Sequence, residues 1–175
     1  LFLTKRLGNG IINTGYKLGD GNLDIWQPVW QEMASLNREA SLAMQKAKAH
    51  AATDITGFGL LGHLQELCAA SGLGAEIWAG QVPIWPFALQ LAKDGVLPRG
   101  LAQNKAYLQN AVQFAADVPE ALQDIFYDPQ TNGGLLIAVP KCRGPQMEVF
   151  LESAGLPFAI IGILKEEPGI VVLKE

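Results

Sequence analysis

The sequence predicts a mixed α+β domain, with a central mixed sheet of about four strands packed against helices. Three observations carry that prediction. Helical and extended segments follow one another without the repeated strand–helix units of a parallel sheet. Gly134-Leu135-Leu136-Ile137-Ala138-Val139 is a continuous apolar run, the mark of a strand covered on both faces. Val29, Met33, Leu36, Ala40, Ala43 and Ala47 recur at steps of four and three, which puts them on one helical face.

The elements follow in order. Asn9 is expected to cap a short helix through Lys17, closed by Gly19 in a left-handed conformation. Gly19-Asp20-Gly21-Asn22 reads as a loop. The next helical pattern begins at Pro28, which suits a first turn because its missing N–H costs nothing there. Asn37 and Ser41 mark where it would break into two helices. A short extended piece, Ala51 to Ile55, leads through a glycine-rich turn to a helix from Leu60 to Ala70, stopped by Ser71-Gly72-Leu73-Gly74. Ala75 to Trp78 reads as a strand. Pro83 to Lys93 is helical, its regular part starting at Pro86. A loop from Gly95 to Gly100 precedes a helix expected over Leu101 to Phe114, and Pro119 opens another short one. A helix near Pro145 to Ala154 and strands at Phe158 to Leu164 and Ile170 to Leu173 complete the chain, with turns at Gly155-Leu156-Pro157 and Glu167-Pro168-Gly169.

Composition limits what such a domain does. A chain of 175 residues, 49% hydrophobic and 17% charged, suits one buried core. The net charge of -4 leaves no basic face to displace counterions, so nucleic acid is not an expected partner. No uncharged apolar run reaches the roughly 18 residues that span a bilayer, so no membrane partner is expected either. Cys68 and Cys142 form no C-x-x-C pair and have no His at metal spacing, and they read as free thiols of a reducing compartment. Leu1-Phe2-Leu3 carries no signal-peptide pattern. An apolar triplet there reads as the end of a strand belonging to something larger. Residues 1–10 are therefore expected to be the linker or last strand of a preceding domain, and 11–175 the α+β domain itself.

Gly57-Phe58-Gly59-Leu60-Leu61-Gly62 satisfies the dinucleotide pattern G-x-G-x-x-G, and Glu76 lies near the distance of the usual ribose-binding acid. The preceding strand is short and polar where Val and Ile belong, and further parallel β–α units are missing, so a dinucleotide fold is not expected. Another chemistry suits the segment better. Asp54 ends an extended piece, the glycines after it permit close approach of a ligand, and the following helix points its N–H groups and positive dipole end the same way. A hard cation such as Mg²⁺ takes one or two protein carboxylates and completes its shell with water and phosphate oxygens. Spacing alone leaves two readings open, Asp54 as a metal ligand, or Asp54 or Thr56 as a plain helix cap.

Three stretches resemble one family in its order. Thr53-Asp54-Ile55-Thr56-Gly57-Phe58-Gly59-Leu60-Leu61-Gly62-His63-Leu64 resembles the D-[IV]-T-G-F-G-L-L-G-H-L segment of selenophosphate synthetases (selenide, water dikinases). Asp128-Pro129-Gln130-Thr131-Asn132-Gly133-Gly134-Leu135-Leu136 resembles their D-P-Q-T-S-G-G-L-L, and Leu3-Thr4-Lys5-Arg6-Leu7-Gly8-Asn9-Gly10 their L-T-K-P-L-G-x-G. The resemblance implies the C-terminal α+β domain of the aminoimidazole ribonucleotide synthetase-like superfamily. It implies partnership with the protein's own N-terminal ATP-binding domain, through which a homodimer would form. The implied reaction converts ATP, selenide and water to selenophosphate, AMP and phosphate with Mg²⁺, in the cytoplasm.

On that resemblance Asp54 matches a Mg²⁺ ligand, and Thr56, Gly57 and Gly59 support the nucleotide phosphates. Asp128, Thr131, Gly133 and Gly134 form a structural turn. The catalytic Cys or Sec and the essential Lys belong to the N-terminal domain, so this chain alone is expected to be inactive. Arg6 in place of Pro, Asn132 in place of Ser, and Pro98-Arg99-Gly100 near a family P-G-G-T are departures. Another ATP-using superfamily member and a non-catalytic interaction module are the alternatives. His63 reads as a packed or hydrogen-bonded His, His50 as a partner of the preceding helix end, and the four tryptophans as core or interdomain packing. Trp85, between prolines, is a candidate for a docking surface.

Overall fold

A computed structural model describes residues 1–19 and 22–174. Its strands form two sheets. The first runs β2 (Ala51–Asp54), β5 (Leu135–Ala138), β1 (Phe2–Leu3), β6 (Ala159–Ile160), with every neighbouring pair antiparallel. The second runs β4 (Val112–Phe114), β8 (Gly169–Leu173), β3 (Gly74–Trp78), β7 (Gly162–Lys165). There β8 is parallel to both β4 and β3, and β7 is antiparallel to β3. The α+β class is the one the sequence predicts, but it is realised as two four-stranded sheets instead of one.

Three local features account for the extra strands. Phe2–Leu3 lies between β5 and β6, so a strand from the first ten residues pairs within this sheet. The helix expected to reach Phe114 ends at Leu108, and Val112–Phe114 pairs with β8. A run this short has no period that separates helix from strand, and the open side of β8 decides it. The strand expected over Phe158 to Leu164 divides at Ile161, whose carbonyl accepts from Trp78 N at 2.8 Å. Gly162 follows because a Cβ there would lie 2.1 Å from the Glu76 carbonyl oxygen.

The helices are α1 (Asn9–Leu18), α2 (Leu23–Ala34), α3 (Arg38–Lys46), α4 (Gly59–Ser71), α5 (Pro86–Lys93), α6 (Arg99–Leu108), α7 (Glu120–Tyr127) and α8 (Gly144–Ser153). Gly19 closes α1 at φ 106°, as expected; Asp20 and Gly21 of the predicted loop lie outside the described residues. The α2 helix begins five residues earlier than Pro28, because the Asn22 side chain accepts from Asp24 N at 3.0 Å and caps it. Pro28 therefore sits inside the helix. The break before α3 falls at Ser35–Asn37.

The β5 strand shows why its sequence is apolar throughout. Leu136 and Ala138 face a main core that includes Leu3, Leu60, Leu64 and Phe126. Leu135 and Ile137 face a second core built by Phe2, by Ala40, Ala43 and Ala47 of α3 and its end, and by Met147 and Leu151 of α8. The dinucleotide geometry is absent. The segment β2–α4–β3 joins strands of different sheets, and the Glu76 carboxylate accepts from the Trp78 indole N–H at 3.0 Å.

Candidate functional site

The three motif stretches meet at one junction beside the end of β2. Ile55 donates its amide to Gly134 O (2.9 Å), Gly133 returns one to Ile55 O (3.1 Å), and Gln130 N donates to Thr56 O (2.9 Å). Gln130 Oε1 in turn accepts from the amides of Gly8 (3.1 Å) and Asn9 (3.2 Å), and Asp128 Oδ2 accepts from Gly10 (3.0 Å). These are the orphan donors at the start of α1, so two side chains from a distant turn cap that helix. The Asn9 side chain completes the link, donating to Thr131 O and accepting from Thr131 N. Gly10 has no alternative, since a Cβ would lie 2.2 Å from Pro129 O. Asp128 is fully buried. Burial raises its carboxyl to about 7 against the pull of hydrogen bonds from the Ile11 backbone, the Gln130 side chain and the Gly10 backbone.

Lys5 and Asn132 pin the same turn to the end of α2. Lys5 Nζ donates to Ser35 O (2.8 Å) and Asn132 O (2.9 Å), and burial lowers its ammonium pKa, partly countered by Glu32. Asn132 adopts φ 47° and donates to Met33 O, which explains an Asn at a turn where a left-handed backbone is needed. Arg6 also has local partners. Its guanidinium bonds Glu32 at 2.9 Å and lies 4.5 Å from the centre of the Trp85 ring, so Trp85 is half-buried beneath it.

Asp54 stands at the open side of this junction. Its carboxylate is exposed and lines a groove of about 620 Å³ with Leu36, Asn37, Arg38, Ser41, Met44, Ala52, Thr53 and Leu135. No side chain caps α4, so neither Asp54 nor Thr56 serves as the plain cap that spacing allowed. The Thr56 hydroxyl lies 3.0 Å from His63 Nε2, and His63 Nδ1 lies 3.2 Å from Glu66 Oε2. Gly57 is exposed with nothing near a would-be Cβ. Gly59 is buried at φ 70° with a would-be Cβ 2.9 Å from the Tyr127 carbonyl group, so packing alone already requires glycine there.

Among the described residues no three His, Cys, Asp or Glu side chains converge. Asp54 therefore fits one carboxylate of a Mg²⁺ shell completed by water and phosphate oxygens, and not a cage of its own. Sequence reasoning missed Asn104, which donates from α6 to Gly57 O (3.0 Å) and Tyr127 O (2.9 Å) and so holds the glycine turn. An Asn on the apolar face of a helix was the available signal. It also missed Gln130 and Glu66, whose partners no local pattern reveals. Cys68 is buried, with burial pushing its thiol up to about 11, and Cys142 is exposed; both are free.

Residues 27–174 match the family described as AIR synthase related protein, C-terminal domain, and the chain belongs to that family. Within it, the chain is similar to the selenide, water dikinase of Pelobacter propionicus, at 43% identity over 169 residues, covering 96% of this chain and 49% of that protein. The chain spans about half the length of the curated relatives it matches. The fold is shared with a thiamine-monophosphate kinase from Stenotrophomonas maltophilia (TM-score 0.67, 18% identity, covering 98% of this chain and 48% of that one). It is shared too with AaThiL complexed with AMPPCP and TMP (TM-score 0.60, 18% identity, 98% of this chain and 46% of that one). Among the described residues no helix is long and apolar enough to cross a membrane.

Proposed function

We propose that this chain is the C-terminal portion of a cytoplasmic selenide, water dikinase, which converts ATP, selenide and water to selenophosphate, AMP and phosphate, and that Asp54 is a ligand of the Mg²⁺ accompanying ATP. The observation that carries the reading is the placement of Asp54. It is an exposed carboxylate at a strand end, free of any capping duty, on a groove beside the junction of all three motif stretches. The 43% identity to a selenide, water dikinase supports the reaction. AaThiL, on the same fold, is complexed with AMPPCP, an ATP analogue, which supports the nucleotide.

A Mg²⁺ bound there would neutralise polyphosphate charge, the main need of phosphoryl transfer. Asp54 supplies one oxygen ligand. Thr56, Gly57 and Gly59, which follow it in the chain, support the nucleotide, and Asn104 keeps Gly57 in place. The remaining ligands, the Cys or Sec and the Lys are assigned to the protein's N-terminal domain, which also carries the dimer contact. In the full-length protein, Asp54→Asn is expected to lower AMP formation from ATP and selenide by about 10²-fold or more. Wild-type activity in that variant overturns the metal assignment. A full-length protein that consumes ATP without forming selenophosphate overturns the reaction.

A further inference from the structure

We propose that His63 is a positioning residue which, through Thr56, sets how tightly the cation at Asp54 is held; the inference rests on the assignment of Asp54 made above. An ionised Glu66 only accepts hydrogen bonds, so its 3.2 Å contact places the ring proton of His63 on Nδ1. With that proton on Nδ1, Nε2 offers its lone pair to Thr56, whose hydroxyl then donates across the 3.0 Å contact. With its single hydrogen committed, Thr56 Oγ1 has only lone pairs left to offer. It accepts from a donor, so the support it gives the nucleotide passes through a bound water.

Asp54 ends β2, and Thr56 follows it two residues on, across Ile55, which is 0% exposed. Positions two apart in the chain lie at most about 7 Å apart, against about 2.1 Å for a direct Mg²⁺–oxygen bond. That spacing suits Asp54 on the cation and Thr56 accepting from a water bound to it. The relay is held rigid. His63 is buried in α4, the Phe58 ring lies 5.6 Å from its own, and Gly62 leaves Phe58 that space, since a Cβ there would fall 2.6 Å from the Phe58 Cβ. Groups that orient a metal's shell in this indirect way are typically worth about 10–100-fold in affinity.

The test is a Mn²⁺ titration followed by electron paramagnetic resonance on the full-length protein with AMPPCP present. Thr56→Val and His63→Leu are expected to raise the Mn²⁺ Kd about 10-fold or more, and Thr56→Ser to stay within about 3-fold of wild type. Glu66, with its side chain 56% exposed, is remote from the core, so Glu66→Ala leaves the fold intact and is expected to weaken Mn²⁺ about 3-fold or more. Nitrogen-15 NMR is expected to find the His63 proton on Nδ1 at pH 8. Wild-type Kd in Thr56→Val and Glu66→Ala, equal losses in Thr56→Val and Thr56→Ser, or a doubly protonated ring would each overturn the relay. Asp54→Asn separates the two claims: if it alone weakens Mn²⁺, the relay fails and the Asp54 assignment stands. If it leaves Mn²⁺ affinity unchanged, the Asp54 assignment falls.

Discussion

Asp128 sets burial against hydrogen bonding at a single carboxyl group. It has no exposed surface, yet it faces N–H donors from Gly10, Ile11 and the Gln130 amide at the start of α1. Burial wins and raises the folded-state value to about 7, whereas an unfolded Asp titrates near 4. Between those limits the folded protein binds the extra proton. The stability from this group is therefore fully present below about pH 4 and is lost as pH rises to about 7, with a slope of at most about 1.4 kcal/mol per pH unit. Urea unfolding of wild type and Asp128→Asn across pH 4.5 to 8 isolates it, because every other carboxylate is common to both. The expected result is that the difference in stability shifts in favour of the Asn variant as pH rises. A shift in the opposite direction would mean that the hydrogen bonds prevail.

At the scale of elements, the informative case is a helix capped from far along the chain. The amides of Gly8 and Asn9 end on Gln130 Oε1, across sequence separations of 122 and 121 residues. Gln130→Ala leaves both donors without an acceptor in a buried place and is expected to cost about 2–4 kcal/mol, read from urea midpoints. A cost below about 1 kcal/mol would show that water replaces the cap. This long reach also explains what was legible. Signals carried within a few residues are readable, such as the left-handed Gly19 and Gly72, the apolar β5 run, and an acid followed by glycines at Asp54. The strand at Val112–Phe114 is not, because only the partner β8 distinguishes it from the end of a helix. The packing need for glycine at Gly59 is hidden for the same reason, since it comes from Tyr127, a residue on α7. The Thr56–His63–Glu66 relay lies between these cases, since its spacing is local but its hydrogen-bond order appears only in three dimensions.

At the scale of the whole molecule, β5 makes one structure of two cores by sending alternate side chains to opposite sides of the first sheet. The layer formed by α3 and α8 rests on Leu135 and Ile137, while the strand's other residues face the core that holds α4, which carries His63. Loosening the outer layer should therefore be felt in the main core, although the two share no buried side chain. Met147 is 0% exposed in the outer core, and Met147→Ala is expected to cost about 2–4 kcal/mol. Trp26 belongs to the main core, Trp85 packs against it, and no tryptophan among the described residues belongs to the outer one. If β5 couples the layers, urea unfolding of Met147→Ala followed by tryptophan fluorescence moves to lower denaturant by the same amount as unfolding followed by far-ultraviolet circular dichroism. An unmoved fluorescence transition, with a separate early loss of helix, would instead make the α3–α8 layer an independently opening unit. In that case its opening would expose Leu135 in the Asp54 groove and loosen the bond from Asn37 to Gly133 O at the junction.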